Sequence, residues 1–519
     1  MENIFEVVGL EGPYQTTLLI INLFTGVLPS IYSLQIPYLT KHPSFFVKKL
    51  KSVSPNKIFE MEYDPKLCDS TLYEITKNPT KSIINWSYTF DLYCKKESYN
   101  TIITSIIFVG GMLGTLLVLP LPDKYGRSKI LKAVTLISLI LHFNLLFALG
   151  PNHLILINFI GGFFSQIYAV GYALFTEFYD KNKNGLLIGI YNAIYPFAGI
   201  FLCFFFMSLN SWRLIYAITS LIHCYYTYVT FKYFIESPRW LHSIGNKEGC
   251  IGALTELAFY NGKIEQWNYF QKNNQDLINK LGTTNLEKEG NDNNINNKSI
   301  NKTYNIFQIL KFKSQRKIFI KITIICIGCS YNYYGVILNL GKMKGNFYLN
   351  SICAFLGEFI SEIFTGNLAD KFGRITIFIW CCVIGTIGYF LYLISPYFKF
   401  LFVFTAMVGY SGIFNIIAIY APEIYPTKIR NTAYSYSSFI SRLSPICVPI
   451  LTQEMPNLID LSFIIWGIIS GLIGVSLEET LGKKRIDIIP EEEEENHIAL
   501  YFVIDSVPRK VAFFGIFAA

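Results

Sequence analysis

Apolar residues are gathered into long stretches near positions 15–37, 99–120, 129–149, 153–178, 185–208 and 212–234, and again near 317–341, 347–367, 374–394, 398–421, 429–452 and 458–477. Each reaches the about 20 residues that an α-helix needs to cross a bilayer core, and most of the polar breaks between them are short. The pattern predicts an all-α membrane protein with twelve transmembrane helices, six plus six. What sits in the breaks relates the two sets. Asp123-Lys124-Tyr125-Gly126-Arg127 recurs as Asp370-Lys371-Phe372-Gly373-Arg374, 247 residues later, and Glu177-Phe178-Tyr179 and Glu423-Ile424-Tyr425 follow the two aspartates by 54 and 53 residues. Pseudo-symmetric halves ordinarily enclose a site between them and rock around it; a duplicated scaffold that moves nothing is the bland alternative.

The chain therefore divides into an N-terminal six-helix half (1–235) carrying a long loop at about 38–98, a linker at 236–316, a C-terminal six-helix half (317–477) and a tail (478–519). The linker begins with helical-looking sequence around 247–261 and passes into an Asn-rich tract between Gly290 and Asn305, which has too few apolar groups to offset chain entropy. The tail holds Lys483-Lys484-Arg485, glutamates from Glu491 to Glu495, and an apolar end interrupted by Asp505, Pro508, Arg509 and Lys510. Such an end makes a poor transmembrane helix, and either lies on the membrane or is unstructured.

Composition agrees with this class. The 519 residues are 52% hydrophobic and 15% charged, against roughly a quarter charged in soluble domains. Glu2, Glu6 and Glu11 precede the first apolar stretch without a Lys or Arg, so the basic region of a cleavable signal peptide is missing and the first stretch is expected to stay as an anchor. Lys124, Arg127, Lys129, Lys132, Lys181, Lys183, Lys371, Arg374, Lys428 and Arg430 fall on one side of the pattern, and only Arg213, Lys342, Lys344 and Lys399 on the other. The richer side is predicted to be cytoplasmic, with both termini. This asymmetry accounts for the net charge of +8, so no nucleic-acid partner is read from it. Of eleven cysteines, only Cys68 and Cys94 lie in the 38–98 loop, which this orientation places outside, where they are able to form a disulfide. The same loop contains Asn85-Trp86-Ser87, an acceptor triplet for N-glycosylation, whereas the triplets at Asn297 and Asn301 face the cytoplasm. The six histidines have no metal-ligand spacing, and neither a phosphate-binding loop nor a nucleophile elbow is present. No enzyme activity, cofactor or metal is expected, and ATP hydrolysis should not drive a cycle.

Further motifs resemble those of a known family. Phe90-Asp91-Leu92-Tyr93-Cys94, Glu236-Ser237-Pro238-Arg239-Trp240-Leu241, Tyr333-Tyr334-Gly335-Val336 and Ala421-Pro422-Glu423-Ile424-Tyr425-Pro426 resemble elements of the organic cation, anion and carnitine transporter branch of the major facilitator superfamily, over nearly the whole chain to about residue 484. The resemblance implies the major facilitator fold, transport of a small organic ion across a membrane, and the plasma membrane as its place. Two positions depart from the family pattern: Leu119 stands where a glycine is expected before Asp123, and the exofacial loop has only two cysteines.

The resemblance also implies roles. Asp123, Arg127, Asp370, Arg374, Glu177, Glu423, Arg430, Glu236, Arg239 and Lys183 become gating residues, with Asp123 meeting Arg430 or the N-terminal dipole of span eleven and Asp370 meeting Lys183. The alternative is that these are orientation charges only. Arg442 lies within span eleven, and Glu358 and Glu362 one turn apart within span eight; such charges cost roughly 2.5–3.5 kcal/mol to insert and are rarely there without reason. In the family, arginine at the position of Arg442 goes with anion or carnitine carriers, which tilts the substrate toward a carboxylate bearer. Arg442 and Glu362 either split around a zwitterion or form an architectural ion pair, and Glu358 is placed to meet an ammonium or take a coupling proton. Tyr333, Tyr334 and Phe414 match cavity positions of the family and offer faces for a quaternary ammonium, while Tyr191, Tyr195 and Asn332 are candidates by position in their spans. The coupling ion, proton or sodium, is left open. A sugar or polyol carrier and a non-transporting sensor of the same fold are the rivals.

Overall fold

A computed structural model of the chain describes residues 2–9, 12–49, 58–165, 167–178, 184–279, 281, 309–426 and 429–482. The predicted positions of Lys181, Lys183, Lys428, the Asn-rich tract, the two triplets at Asn297 and Asn301 and the chain beyond 482 lie outside the described residues.

Helices occupy every predicted span. In the N-terminal half they are Pro13–Ser33 (span one), Glu97–Leu117 (two), Arg127–Leu146 (three), Pro151–Phe164 with Ile167–Thr176 (four), Asn184–Leu209 (five) and Trp212–Tyr233 (six). In the C-terminal half they are Lys313–Asn339 (seven), Phe347–Phe372 (eight), Arg374–Ile394 (nine), Lys399–Ile424 (ten), Arg430–Ser441 with Leu443–Glu454 (eleven) and Pro456–Val475 (twelve). Among the described residues eight helices are long and apolar enough to cross a membrane. Spans four and eleven are divided into shorter pieces, and span six is diluted by Arg213, Thr219, Ser220, His223 and Lys232.

Without a hydrophobic force between helices in lipid, close packing has to come from small residues that let backbones approach. Spans two and four meet this way: a Cβ on Gly110 would stand 2.1 Å from the Phe159 carbonyl oxygen, and one on Gly162 the same distance from that of Ile107.

On one face the 38–98 loop folds into a cap. Strands β1 (Phe45–Lys49), β2 (Ile58–Met61) and β3 (Tyr73–Lys77) form an antiparallel sheet in the order β2-β1-β3 over a small core of Phe45, Val47 and Leu67. Cys68 and Cys94 are joined, with S–S 2.05 Å, across 26 residues. Closing a ring of that length stabilises by about 3.5 kcal/mol in the chain-entropy account. The double variant Cys68→Ser, Cys94→Ser is therefore expected to lose a similar amount from the cap, seen as a lower thermal midpoint that reductant no longer changes.

On the opposite face the helices Pro238–Ser243, Lys247–Tyr260 and Ile264–Asn273 pack together with an N-terminal helix, Glu2–Val8, that the sequence reading left unassigned. Phe5, Val8, Leu254, Leu257 and Trp267 are fully buried in this bundle. Asn261 locks it to span one, its amide donating to the Val8 and Gly9 carbonyls at 3.0 and 3.1 Å and its oxygen accepting from the Tyr14 N–H at 3.0 Å.

The two halves meet along spans two and eleven and along spans five and eight, and the contacts concentrate toward the cap. Thr101 donates to Gln453, and Ser105 Oγ to the Ile446 carbonyl at 3.0 Å. Between spans five and eight, Tyr348 donates to the Phe206 carbonyl at 3.4 Å, Gly199 abuts Phe355, and Phe197 lies 6.0 Å from Phe359. From Tyr348 to Glu362 this seam runs about 21 Å at 1.5 Å per residue. It closes the cap side of the molecule to near mid-membrane, and the charged residues of interest stand at its inner end.

Candidate functional site

Arg442 sits where span eleven breaks. Pro445 has no N–H to give the carbonyl four residues before it, and its ring crowds that turn, so one helix stops at Ser441 and the next starts at Leu443, with Arg442 at the junction. Across the seam the space beside Gly111 of span two brings Arg442 Nη1 within 3.4 Å of where a Cβ would be. A side chain at Gly111 would crowd the guanidinium.

Three rings from the C-terminal half line the same region. Tyr333 and Tyr334 stand edge to face at 4.9 Å, and Phe414 lies 5.5 Å from the first and 6.5 Å from the second. Phe108 of span two completes the wall, 4.9 Å from Tyr334. Phe108 was not a sequence candidate; its position three residues before Gly111 is the signal that pointed to it. Tyr195, from span five, lies within electrostatic reach of Tyr334, Glu358 and Arg442, so one residue of the N-terminal half faces three of the C-terminal half.

Glu358 is buried, and one oxygen accepts from the Tyr333 hydroxyl at 2.6 Å while the other has no hydrogen-bond partner. Glu362, a turn further on, accepts from Ser411 at 3.3 Å and faces Asn192 of span five; its second oxygen likewise lacks a partner. Neutral groups therefore hold Glu362, and an ion pair with Arg442 is not among the described contacts. Asn332 is buried with its carbonyl oxygen unsatisfied. Tyr191 does not join this group: it is fully buried inside the N-terminal half, bonded to Thr25 and packed on Tyr172 and Phe175.

At the face opposite the cap the repeated motifs build two matching triads. Arg127 reaches Asp123 at 3.0 Å and Glu177 at 2.8 Å. Arg374 bonds Asp370 and forks onto Glu423, with contacts of 3.3 and 3.2 Å, and Thr480 donates to Glu423 at 2.6 Å. Each arginine thus ties its own motif's aspartate to the glutamate that follows by 54 or 53 residues. The expected meeting of Asp123 with Arg430 is not observed. Asp123 is turned to its neighbour one helical turn away and stays 78% exposed, while Arg430 donates to the Tyr425 carbonyl at 3.4 Å. Intramolecular partners within reach won over one across the halves.

A second pair of carboxylates caps the helices that start after each motif. Gly126 and Gly373 turn at φ of 106° and 101°, where a side chain would strain the backbone and strike a glutamate. Beyond them Glu236 accepts from the N–H groups of Ser128 and Lys129 at 3.0 and 3.3 Å, and Glu479 from those of Arg374 and Ile375, both at 2.9 Å. Glu236 was a sequence candidate by family resemblance; Glu479 was missed, although Glu479-Thr480 after span twelve echoes Glu236-Ser237 after span six. Arg239 stacks on Phe5, 5.0 Å from its ring, and so anchors the N-terminal helix.

Burial alone would raise the Glu479 carboxyl, but the N–H groups of Leu481, Arg374, Ile375 and Thr480 hold it below the ordinary glutamate value. A carboxyl depressed in the folded state contributes stability above its unfolded pKa of about 4.3, and that contribution is lost as pH falls through the lower folded value. The thermal-midpoint gap between wild type and Glu479→Gln is accordingly expected to be present at neutral pH and to shrink below about pH 4.3.

In the cap, the acceptor reading of Asn85 is corrected. Its amide donates to the Tyr38 and Lys41 carbonyls at 2.7 and 2.8 Å, its oxygen accepts from the Tyr88 N–H at 2.8 Å, and the residue is 1% exposed. It caps the short helix Trp86–Thr89, an N-cap preference that competes with the triplet reading.

Comparison with known proteins agrees with this architecture. Residues 73–477 match the family described as "Sugar (and other) transporter". Organic cation/carnitine transporter 4 of Arabidopsis thaliana is 26% identical over 410 residues, covering 76% of this chain and 74% of that protein. A solute carrier family 22 member 15-like protein of Xenopus laevis is 26% identical over 419 residues, covering 76% and 80%. Among solved structures, the xylose transporter XylE from E. coli in its inward open conformation superimposes with a TM-score of 0.57 at 14% identity, over 91% of this chain and 97% of that one, which establishes the fold. The chain is a multi-pass membrane transporter of the sugar (and other) transporter family within the major facilitator superfamily, and its relatives include organic cation, carnitine and solute carrier family 22 proteins.

Proposed function

We propose that the protein moves small organic ions by alternating access, as a secondary-active or facilitative carrier, and that a zwitterion or an organic anion is favoured over a simple cation. The observation that carries this reading is opposite charge in one aromatic-walled chamber: Arg442 on one side, and on the other two carboxylates, each with an oxygen that no protein group satisfies. A buried acceptor left unmade costs about 1–3 kcal/mol, and an ammonium entering beside Tyr333, Tyr334 and Phe414 would remove that cost while gaining cation–π attraction. A carboxylate on the same ligand would turn to Arg442. A polyol offers nothing for either charge, which weighs against the sugar or polyol alternative, and the names of the relatives support organic ions. A non-transporting sensor of the same fold is separated by vesicle counterflow.

We place the protein in the plasma membrane with both termini cytoplasmic and the cap outside; the positive-inside asymmetry and the disulfide in the cap support that orientation. The test of substrate class is uptake of labelled carnitine, tetraethylammonium and para-aminohippurate, at two external pH values, by cells expressing the protein. Carnitine or para-aminohippurate entering faster than tetraethylammonium is expected. Uptake of tetraethylammonium alone, or competition by glucose alone, would reassign the substrate class.

A further inference from the structure

At the rim of the cap, charges from both halves meet around one carboxylate. Glu97, at the first turn of span two, accepts from the Tyr63 hydroxyl at 3.0 Å and lies 3.6 Å from His42 Nε2. Tyr63 is itself fixed by the Cys94 N–H, which donates to its hydroxyl at 3.2 Å beside the disulfide, and its ring packs on the His42 ring at 4.2 Å. The other imidazole nitrogen faces Ser87 Oγ at 3.4 Å. All of these belong to the N-terminal half.

Lys342 belongs to the C-terminal half, in the loop between spans seven and eight, and its partner is the same Glu97. Burial lowers the Lys342 pKa and the Glu97 charge pulls it back up. The loop is pressed against the other half: a Cβ on Gly341 would lie 3.2 Å from the Pro37 carbonyl oxygen, and Lys41, with Glu62 near it, holds its ammonium 4.1 Å over the Phe347 ring. Glu97 therefore serves two cations, one within its half and one across the seam that shuts the outside.

We infer that His42 and Glu97 form an external proton site which sets how firmly the cap side of the transporter is closed. With a neutral imidazole, the carboxylate is matched by Lys342 and the halves are held together. A proton arriving from outside makes His42 a second cation 3.6 Å from Glu97; the carboxylate is then neutralised within its own half, Lys342 faces surplus positive charge, and the seam loosens. External acidification in the imidazole range should thus raise the outward-open population. Nothing in the chamber around Arg442 takes part.

The site rests on the alternating-access reading, so its test is a distance and not uptake. Probes installed by unnatural amino acids at exposed Leu72 in the cap and Tyr397 between spans nine and ten, on the full-length protein in liposomes, report separation of the halves as external pH is lowered from about 7.5 to about 5.5, either side of the imidazole range. The wild type should shift toward longer distances, the ratio of open to closed changing roughly threefold to tenfold, as expected of one partly screened charge. His42→Gln should not respond, and Lys342→Gln should be more open at both values. A wild type that does not respond, a His42→Gln variant that responds equally, or a Lys342→Gln variant that behaves as wild type would each overturn the inference. Distances that follow carnitine or para-aminohippurate but ignore pH sink the proton site alone; distances fixed under every condition sink the alternating-access reading too.

Discussion

Replacing Arg442 by alanine should lower uptake of a carboxylate-bearing substrate on the order of a hundredfold while leaving the protein folded. Charge-assisted hydrogen bonds in a water-poor site contribute about 1.5–3 kcal/mol each, and every 1.4 kcal/mol is a factor of ten. The fold should survive because Arg442 already stands at a helix break, so its loss removes no interior backbone bond. Arg442→Lys should recover only part of the activity, since an ammonium cannot fork onto a carboxylate. Exchanging the charges, Arg442→Glu with Glu362→Arg, separates recognition from architecture. Restored uptake would mean that the two residues only support one another. Continued loss is expected, because Ser411, and not Arg442, is the observed hydrogen-bond donor to Glu362. Initial uptake rates normalised to surface expression are the measurement.

The largest effect on stability is expected at Arg374. Its side chain, 10% exposed, holds Asp370 and both oxygens of Glu423. Removing one member of a buried ion pair costs about 3–5 kcal/mol, and because Asp370 is 64% and Glu423 22% exposed, water will offset part of it, leaving about 2–3 kcal/mol for Arg374→Ala. Arg127→Ala should cost less, since Asp123 is 78% exposed and gains little from its partner. Thermal midpoints in detergent should rank wild type, Arg127→Ala and Arg374→Ala in falling order. The reverse order of the two variants would show that the matching triads differ in a way their geometry hides.

The spans were legible because a bilayer demands long apolar runs, and that demand is written residue by residue. Breaks within spans were not, since an apolar run reads the same whether or not Pro445 interrupts its backbone bonds. The triads were half legible. The repeated motif and its distant glutamate pointed to the right residues, but an aspartate able to reach an arginine four residues on will do so, and spacing cannot tell that contact from one across the halves. Asn85 shows the same limit in another form: Asn before a short helix satisfies both an acceptor triplet and an N-cap, and only burial decides. Glu479 escaped notice because it lies beyond the last apolar run, where its echo of Glu236 is a single matched residue followed by Thr480 instead of Ser237. In the chamber, Tyr333, Tyr334, Phe414, Glu358 and Arg442 were named by resemblance and Tyr195 by position, and the fold brings them into one neighbourhood. Tyr191 illustrates why position alone is weak evidence: one helical turn separates it from Tyr195, yet it turns to Thr25 and not to the seam.

The most direct measurement is counterflow in proteoliposomes loaded with unlabelled carnitine, tetraethylammonium or para-aminohippurate. Wild-type vesicles should accumulate the matching labelled compound above equilibrium for carnitine or para-aminohippurate, and Arg442→Ala vesicles should not. Absence of counterflow for all three with correctly folded protein, or undiminished counterflow in Arg442→Ala, would contradict a substrate chamber between the halves with Arg442 as its anion-binding group.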